Sequence, residues 1–189
     1  KFEAALAVNR EIGNKLGIAV ALENIGHAFY LQGQLGEAKP RYQEAVSILR
    51  DIGYKSYASS ALSGYGDLLS AEGNLAEARK NYEEALAIRT ELGEKGGVLD
   101  TRLALTELAL EEGKAAEAET ASHKAAAEAQ KEKAADSEAQ ARSTMARSLL
   151  VQGKIEEAEK ASAEANSLAA RSENPGLRLS VSMTRARAL

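Results

Sequence analysis

Apolar and small residues recur along this chain at helical spacings, arranged around a glycine that returns every forty residues. The glycines are Gly33, Gly73, Gly113 and Gly153, in the phrases LQGQLGEA, AEGNLAEA, EEGKAAEA and VQGKIEEA. Eight residues before each lie Ile25, Tyr65, Leu105 and Met145; four before come Phe29, Leu69, Ala109 and Leu149. Five residues after stand Ala38, Ala78, Ala118 and Ala158, and twelve after stand Ala45, Ala85, Ala125 and Ala165. Between those alanines are Tyr42, Tyr82, Ser122 and Ser162. Spacings of three, four and seven keep residues on one face of an α-helix. Each unit is therefore predicted to be two antiparallel helices. In the first repeat, helix A runs over about 16–31 and helix B over about 36–51.

The shared glycine ends helix A, where a left-handed residue costs little only for Gly. A second glycine closes helix B at Gly13, Gly53 and Gly93, inside NREIGNK, LRDIGYK and RTELGEK. Small residues at mid-helix A (Gly26, Gly66, Thr106 and Ala146) let two helices approach closely. The layout is one repeat domain over 1–189, with 1–13 as helix B of a truncated repeat. Full repeats follow at about 16–55, 56–95, 96–135 and 136–175, and 177–189 starts another. With Lys at position 1 and no turn signal in SVSMTRARAL, the chain reads as excised from a larger protein.

Composition sharpens this into an all-α solenoid. Strong helix formers dominate, only two prolines occur, and no alternating β-branched segment argues for a sheet. The 24 basic and 28 acidic residues are interspersed, so no basic stripe is available to neutralise phosphates, and nucleic acid is not an expected partner. The absence of cysteine excludes disulfides and thiolate metal sites and fits the cytoplasm. No apolar run approaches the roughly 20 residues that span a bilayer, so no membrane partner is expected.

The residues Leu22, Ile25-Gly26, Phe29, Ala38, Tyr42 and Ala45 resemble the repeat of the tetratricopeptide (TPR) family. So do Leu62, Tyr65-Gly66, Leu69, Ala78, Tyr82 and Ala85. The usual family period is about 34, and the forty-residue period here resembles its long-repeat variant. Phrases such as YEEALAIRTELGEKGG are similar to repeats of large bacterial signalling proteins, where they follow a kinase or winged-helix domain. Eukaryotic adaptors with forty-residue repeats look similar. The third and fourth repeats depart from the pattern: Arg102 and Arg142 replace the leucines, and Ser122 and Ser162 replace the tyrosines. Helix B of the third repeat has few large apolar groups. Either it is the loosest part of the array, or its alanines allow tighter helix packing.

The resemblance implies a right-handed superhelix whose concave groove is lined by the A helices. The groove positions are then Glu23, Asn24, His27 and Tyr30, followed by Ser60, Ser63, Asp67 and Ser70. Asp100, Leu103, Glu107 and Leu110 come next, then Gln140, Ser143, Thr144 and Arg147, and last Met183 and Arg187. The middle is acidic and the end basic, which suits a protein or peptide that is basic near its centre with an apolar anchor for Leu103 or Leu110. In the family an Asn at the position of Asn24 holds a peptide backbone; here Gly64, Ala104 and Thr144 take its place in later repeats. The family's chaperone-tail clamp is not expected, because Glu23, His27, Gly64, Asp100 and Ala104 stand at its positions.

Catalysis finds no support. There is no phosphate loop and no His-Glu-x-x-His. Cys is absent, and His27 and His123 fall in different repeats, so neither a nucleophile–base pair nor a metal site can be assigned. No cofactor is expected. The expected function is a protein-interaction module of a bacterial signalling or regulatory protein. A second reading has the array dock on its parent protein or form a homodimer through apolar ends such as Phe2, Leu6 and Val8.

Overall fold

Alternating glycine punctuation and apolar faces produce ten helices and no strand in the computed structural model, which describes residues 1–189. The helices are α1 (Phe2–Glu11), α2 (Lys15–Leu31), α3 (Leu35–Asp51), α4 (Lys55–Ala71) and α5 (Leu75–Leu92). They continue as α6 (Lys95–Glu111), α7 (Ala115–Glu132), α8 (Ala135–Val151), α9 (Ile155–Ala169) and α10 (Pro175–Ala188). The predicted helices A and B of the first repeat are α2 and α3, within a residue at each end. The chain divides into two compact units, residues 1–98 and 99–189, and α6 runs through the division.

The punctuating glycines do what the spacing requires. Gly33 has φ +72° and Gly53 φ +72°, a conformation that L side chains rarely adopt. After α2, the Gly33 N–H donates to the Tyr30 carbonyl (2.9 Å) and the Gln34 N–H to that of Phe29 (2.9 Å), so orphaned helix-end carbonyls are satisfied. After α7 no glycine is available, and Lys133 itself takes φ +58°. After α9 the closure is different. Asn174 caps α10 by accepting from the Gly176 and Leu177 N–H groups at 3.0 and 3.2 Å, and Pro175 opens the helix.

In the first unit large side chains fill the core. Leu22, Leu49, Leu62 and Leu68 are fully buried, and so is the ring of Tyr42. Tyr42 and Tyr82 each lie against a glycine of the preceding helix. A Cβ on Gly66 would come within 2.6 Å of the Tyr82 ring, and one on Gly26 within 3.2 Å of the Tyr42 ring. A Cβ on Gly64, of the following helix α4, would come within 2.8 Å of the Tyr42 ring from its other side.

In the second unit alanines carry much of the core. Ala125, Ala126 and Ala129 of α7 pack with Ala141 against Leu99 and Leu103. Ser122 and Ser162 sit where the tyrosines would be, and their hydroxyls donate to the carbonyls of Ala118 (2.6 Å) and Glu159 (2.9 Å). The facing small positions hold Thr106 and Ala146 in place of glycine, both buried.

One expected groove residue is corrected here. Leu103 is only 3% exposed and belongs to the core, so it offers no anchor on the surface. Most of the α6 stripe keeps the register of α4, with Leu99, Thr101, Thr106, Leu108 and Ala109 buried forty residues on from Ser59, Ala61, Gly66, Leu68 and Leu69, and the departure is confined to one position. Where α2 and α4 bury Leu22 and Leu62, α6 turns Arg102 to solvent, ion-paired to Glu128 at 2.6 Å, and buries its neighbour Leu103.

Candidate functional site

The candidate site is the face of the A helices beside the core, and each unit builds it differently. In the first unit, α2 contributes Glu23, Asn24, His27 and Tyr30, and α4 contributes Ser60, Ser63 and Asp67. The Ser60 hydroxyl donates to Glu23 Oε1 at 2.6 Å, tying the two helices together. The hydroxyl of buried Tyr82 donates to Asp67 Oδ1 at 2.7 Å, and that of Tyr42 lies 3.5 Å from His27 Nδ1. The His27 and Tyr30 rings are stacked with centroids 6.2 Å apart.

Two carboxylates therefore sit half-buried on one face. Burial raises the pKa of Glu23 above its ordinary value, opposed by the Ser60 hydrogen bond and by the fields of His27 and Arg89. Burial likewise raises Asp67, opposed by the Tyr82 hydroxyl, His27 and Arg89. The same surroundings push the Tyr42 hydroxyl up, through desolvation first and then the charges of Asp67 and Glu23. Neither carboxylate is closed into an ion pair.

Asn24 donates from its amide nitrogen to the Val20 carbonyl one turn back (2.8 Å), which occupies part of the amide that a peptide backbone would use. Ser63 Oγ is buried without a hydrogen-bond partner, and Ser70 is half-buried.

In the second unit the polar row is cross-braced. Glu107 of α6 accepts from both the Thr144 hydroxyl and the Arg147 guanidinium of α8. Ser143 is buried and donates to Thr184 Oγ1 of α10 at 3.0 Å. Glu107, Ser143 and Arg147 border a cleft of about 380 Å³, with Gln140 beside them and Leu177, Ser180 and Val181 of α10 on the other side. Asp100 is exposed, Leu110 half-buried, and Met183 and Arg187 exposed on α10.

The structure brings Glu23, His27, Tyr30 and Asp67 together in one unit, and Glu107, Ser143 and Arg147 in the other. The residues missed in the sequence are Tyr42 and Tyr82. Their signal was a repeated spacing of fifteen residues, from His27 to Tyr42 and from Asp67 to Tyr82, which joins a helix-B ring to a helix-A face. No group of three or more His, Cys, Asp or Glu side chains is placed to hold a metal ion. No helix is long and apolar enough to cross a membrane.

The family described as the MalT-like TPR region matches residues 5–189. No curated protein matches the chain. Among solved structures, BtubC (BKLC) from P. vanneervenii is 16% identical, with a TM-score of 0.79 over 92% of this chain and 74% of that one. The nearly identical TPR-like repeats ascribed to a kinesin light chain of Podosopora anserina are 17% identical, with a TM-score of 0.73 over 90% of this chain and 84% of that one. Aspartyl phosphate phosphatase F from Bacillus subtilis is 12% identical, with a TM-score of 0.85 over all of this chain, which spans 49% of that protein. These likenesses are of fold.

Proposed function

The chain belongs to the MalT-like TPR region family, and from that premise we propose that it is a protein-interaction module whose A-helix faces receive a segment of a protein partner. The TPR-type helical repeat often serves as an interaction scaffold, and its typical role is non-catalytic. The observation that carries the reading is the pair Glu23 and Asp67. Both are half-buried on the A-helix face of the first unit, raised in pKa by burial, and without an ion pair. Each carboxylate has one hydroxyl hydrogen bond and the fields of His27 and Arg89, yet burial still prevails, and a Lys or Arg side chain from a partner would offset it further. His27 and Tyr30 beside them supply a flat contact for the segment's apolar parts.

The setting we propose is a regulatory protein of the bacterial signalling kind. The family membership and the likeness to a Bacillus subtilis phosphatase of aspartyl phosphate support it.

An array of short peptides tests the reading. The wild type is expected to select peptides with central basic residues. Asp67→Arg is expected to lose that selection, while Glu107→Arg alters binding only where a peptide reaches the second unit. Identical selection by wild type and Asp67→Arg would overturn the assignment of the face.

A homodimer is the second reading. Of the apolar end residues Phe2, Leu6 and Val8, Leu6 is buried in the core and drops out, while Phe2 and Val8 are exposed, as are Ile12 just after α1 and Leu179 and Met183 on α10. Light scattering over a wide concentration range separates the two: a constant mass near 20.0 kDa favours the module, a mass that doubles favours the dimer.

A further inference from the structure

The second unit contains a cavity of about 630 Å³ bordered by α7, α8 and α9, away from the A-helix cleft. The first unit has a cleft of only about 280 Å³ that shares three repeat positions with it. Gln43, Tyr65 and Asn81 line the smaller one, and eighty residues on, His123, Met145 and Ala161 line the larger.

In the first unit the space is taken. Gln43 Nε2 donates to the Tyr65 hydroxyl at 2.9 Å, and the Tyr65 ring stacks on Tyr42 with centroids 6.3 Å apart. In the second unit Met145 replaces Tyr65, Ser122 replaces Tyr42 and Ala161 replaces Asn81. Where Tyr65 and Asn81 carry a ring and an amide, Met145 and Ala161 border a volume within the roughly 300–1,000 Å³ range of small-molecule sites.

The cavity has an apolar floor and a charged rim. Leu149 and Ala161 are buried and Met145 packs beside them. Two of the lining acids are already ion-paired: Glu119 with Lys154 at 2.7 Å, and Glu164 with Arg142, which Glu138 also contacts at 2.8 Å. Lys124, Lys160 and His123 line the cavity from exposed positions and have neither a hydrogen bond nor an ion pair. Among the lining groups without an ion pair, two lysines, Lys124 and Lys160, stand against one acid, Glu157.

We propose that this cavity binds a small carboxylate with an apolar body, of the size of an eight-carbon chain. The chain lies on Met145 and Leu149, where its burial is favourable, and the carboxylate takes charge-assisted hydrogen bonds from Lys124 and Lys160. The proposal is independent of the peptide reading, which concerns the A-helix faces.

The chain has two methionines, Met145 in the cavity and Met183 exposed on α10, so methyl-labelled methionine gives a probe and an internal control. Titration with octanoate is expected to shift the Met145 methyl signal saturably and leave Met183 unmoved. Octyltrimethylammonium, with the charge reversed, is expected to produce no saturable shift. The double variant Lys124→Glu, Lys160→Glu changes only exposed side chains, and is expected to weaken octanoate binding by about tenfold, the loss of two exposed charge contacts. Met145→Tyr restores the residue of the first unit and is expected to abolish the calorimetric heat of octanoate binding.

A short Leu-terminated peptide with a free carboxyl end distinguishes another source of the same chemistry. If that peptide moves Met145 and octanoate does not, the small-molecule assignment is wrong. It is equally overturned if Met145 stays unmoved by octanoate, if the cationic surfactant binds as well, or if the lysine variant binds octanoate unchanged.

Discussion

Tyr42 and Tyr82 in the first unit occupy the same repeat positions as Ser122 and Ser162 in the second, and nearly everything around them differs accordingly. Each tyrosine ring lies on a glycine, and its hydroxyl emerges on the A-helix face to meet His27 or Asp67. Each serine is too short to cross and bonds its own helix, and the facing position holds Thr106 or Ala146. The A-helix row is then held by other means: Glu107 is gripped from α8 by Thr144 and Arg147. The comparison teaches that volume is conserved across a helix pair while chemistry is not. Ring with glycine and serine with threonine or alanine are two solutions to one packing constraint.

The outer faces differ as well. In the first unit, helix-B arginines pair with the next helix B at one spacing, Arg10 with Glu44 (3.0 Å) and Arg50 with Glu84 (2.6 Å). In the second unit, Glu164 is taken by Arg142 of α8, and Lys154 pairs with Glu119. These exposed pairs contribute little each, about 0.2–1 kcal/mol, so the tyrosine difference is the larger one.

The strongest way to break the comparison is to interchange the pairs. Tyr82→Ser is expected to cost about 3–5 kcal/mol in urea unfolding, because it empties a ring-sized volume and removes the Asp67 bond. Gly66→Ala alone is expected to cost about 1–3 kcal/mol by overpacking against that ring. In the Tyr82→Ser background the same Gly66→Ala change should cost nothing or stabilise, since the obstacle is gone and alanine favours helix by about 1 kcal/mol. An undiminished Gly66→Ala cost in the double variant would show that the two positions are not a pair.

A smaller effect tests helix closure. Lys133 holds φ +58° where Gly13, Gly53 and Gly93 stand after the other helices. Lys133→Gly is expected to stabilise by about 1 kcal/mol, the strain of a left-handed residue with a side chain. A loss of stability would mean that the Lys133 side chain makes a contribution larger than that strain.

The last effect is conditional on pH. Burial raises the folded-state pKa of Asp67 above its ordinary value of 3.8, so the folded chain keeps a proton that the unfolded chain has released. Stability from this group is therefore present at low pH and is lost as pH rises through the raised value. Asp67→Asn keeps an oxygen for the Tyr82 hydroxyl and removes the charge. Its melting temperature is expected to exceed that of the wild type at neutral pH and to converge on it below the ordinary carboxylate range. A difference that does not change with pH would exclude the buried charge as its cause.

Much of the fold was legible because its signals are local. The forty-residue period, the glycines and the 3–4–7 spacing fall on the observed helices α2 to α9 with shifts of a residue or two, except the end of α9, where the register has no glycine and Asn174 supplies a cap to α10 instead. The site was legible only as a face. Glu23, His27, Asp67, Glu107 and Arg147 lie where the repeat register puts them, but Leu103 does not. The exchange is local: with Arg102 at the core position of Leu22 and Leu62, its neighbour Leu103 takes over the burial while the rest of α6 keeps its register.

What the sequence determined by itself was periodic: helix type, helix ends, the glycine at most turns and the small residue at each close approach. Those follow from backbone conformation and helical geometry, which depend on residues a few positions apart. Only the tertiary structure decided that Tyr82 reaches Asp67, that Glu107 is braced from the next A helix, and that Met145 leaves a cavity where Tyr65 fills one. Each depends on volume and hydrogen-bond reach between helices, and a spacing along one chain does not measure either.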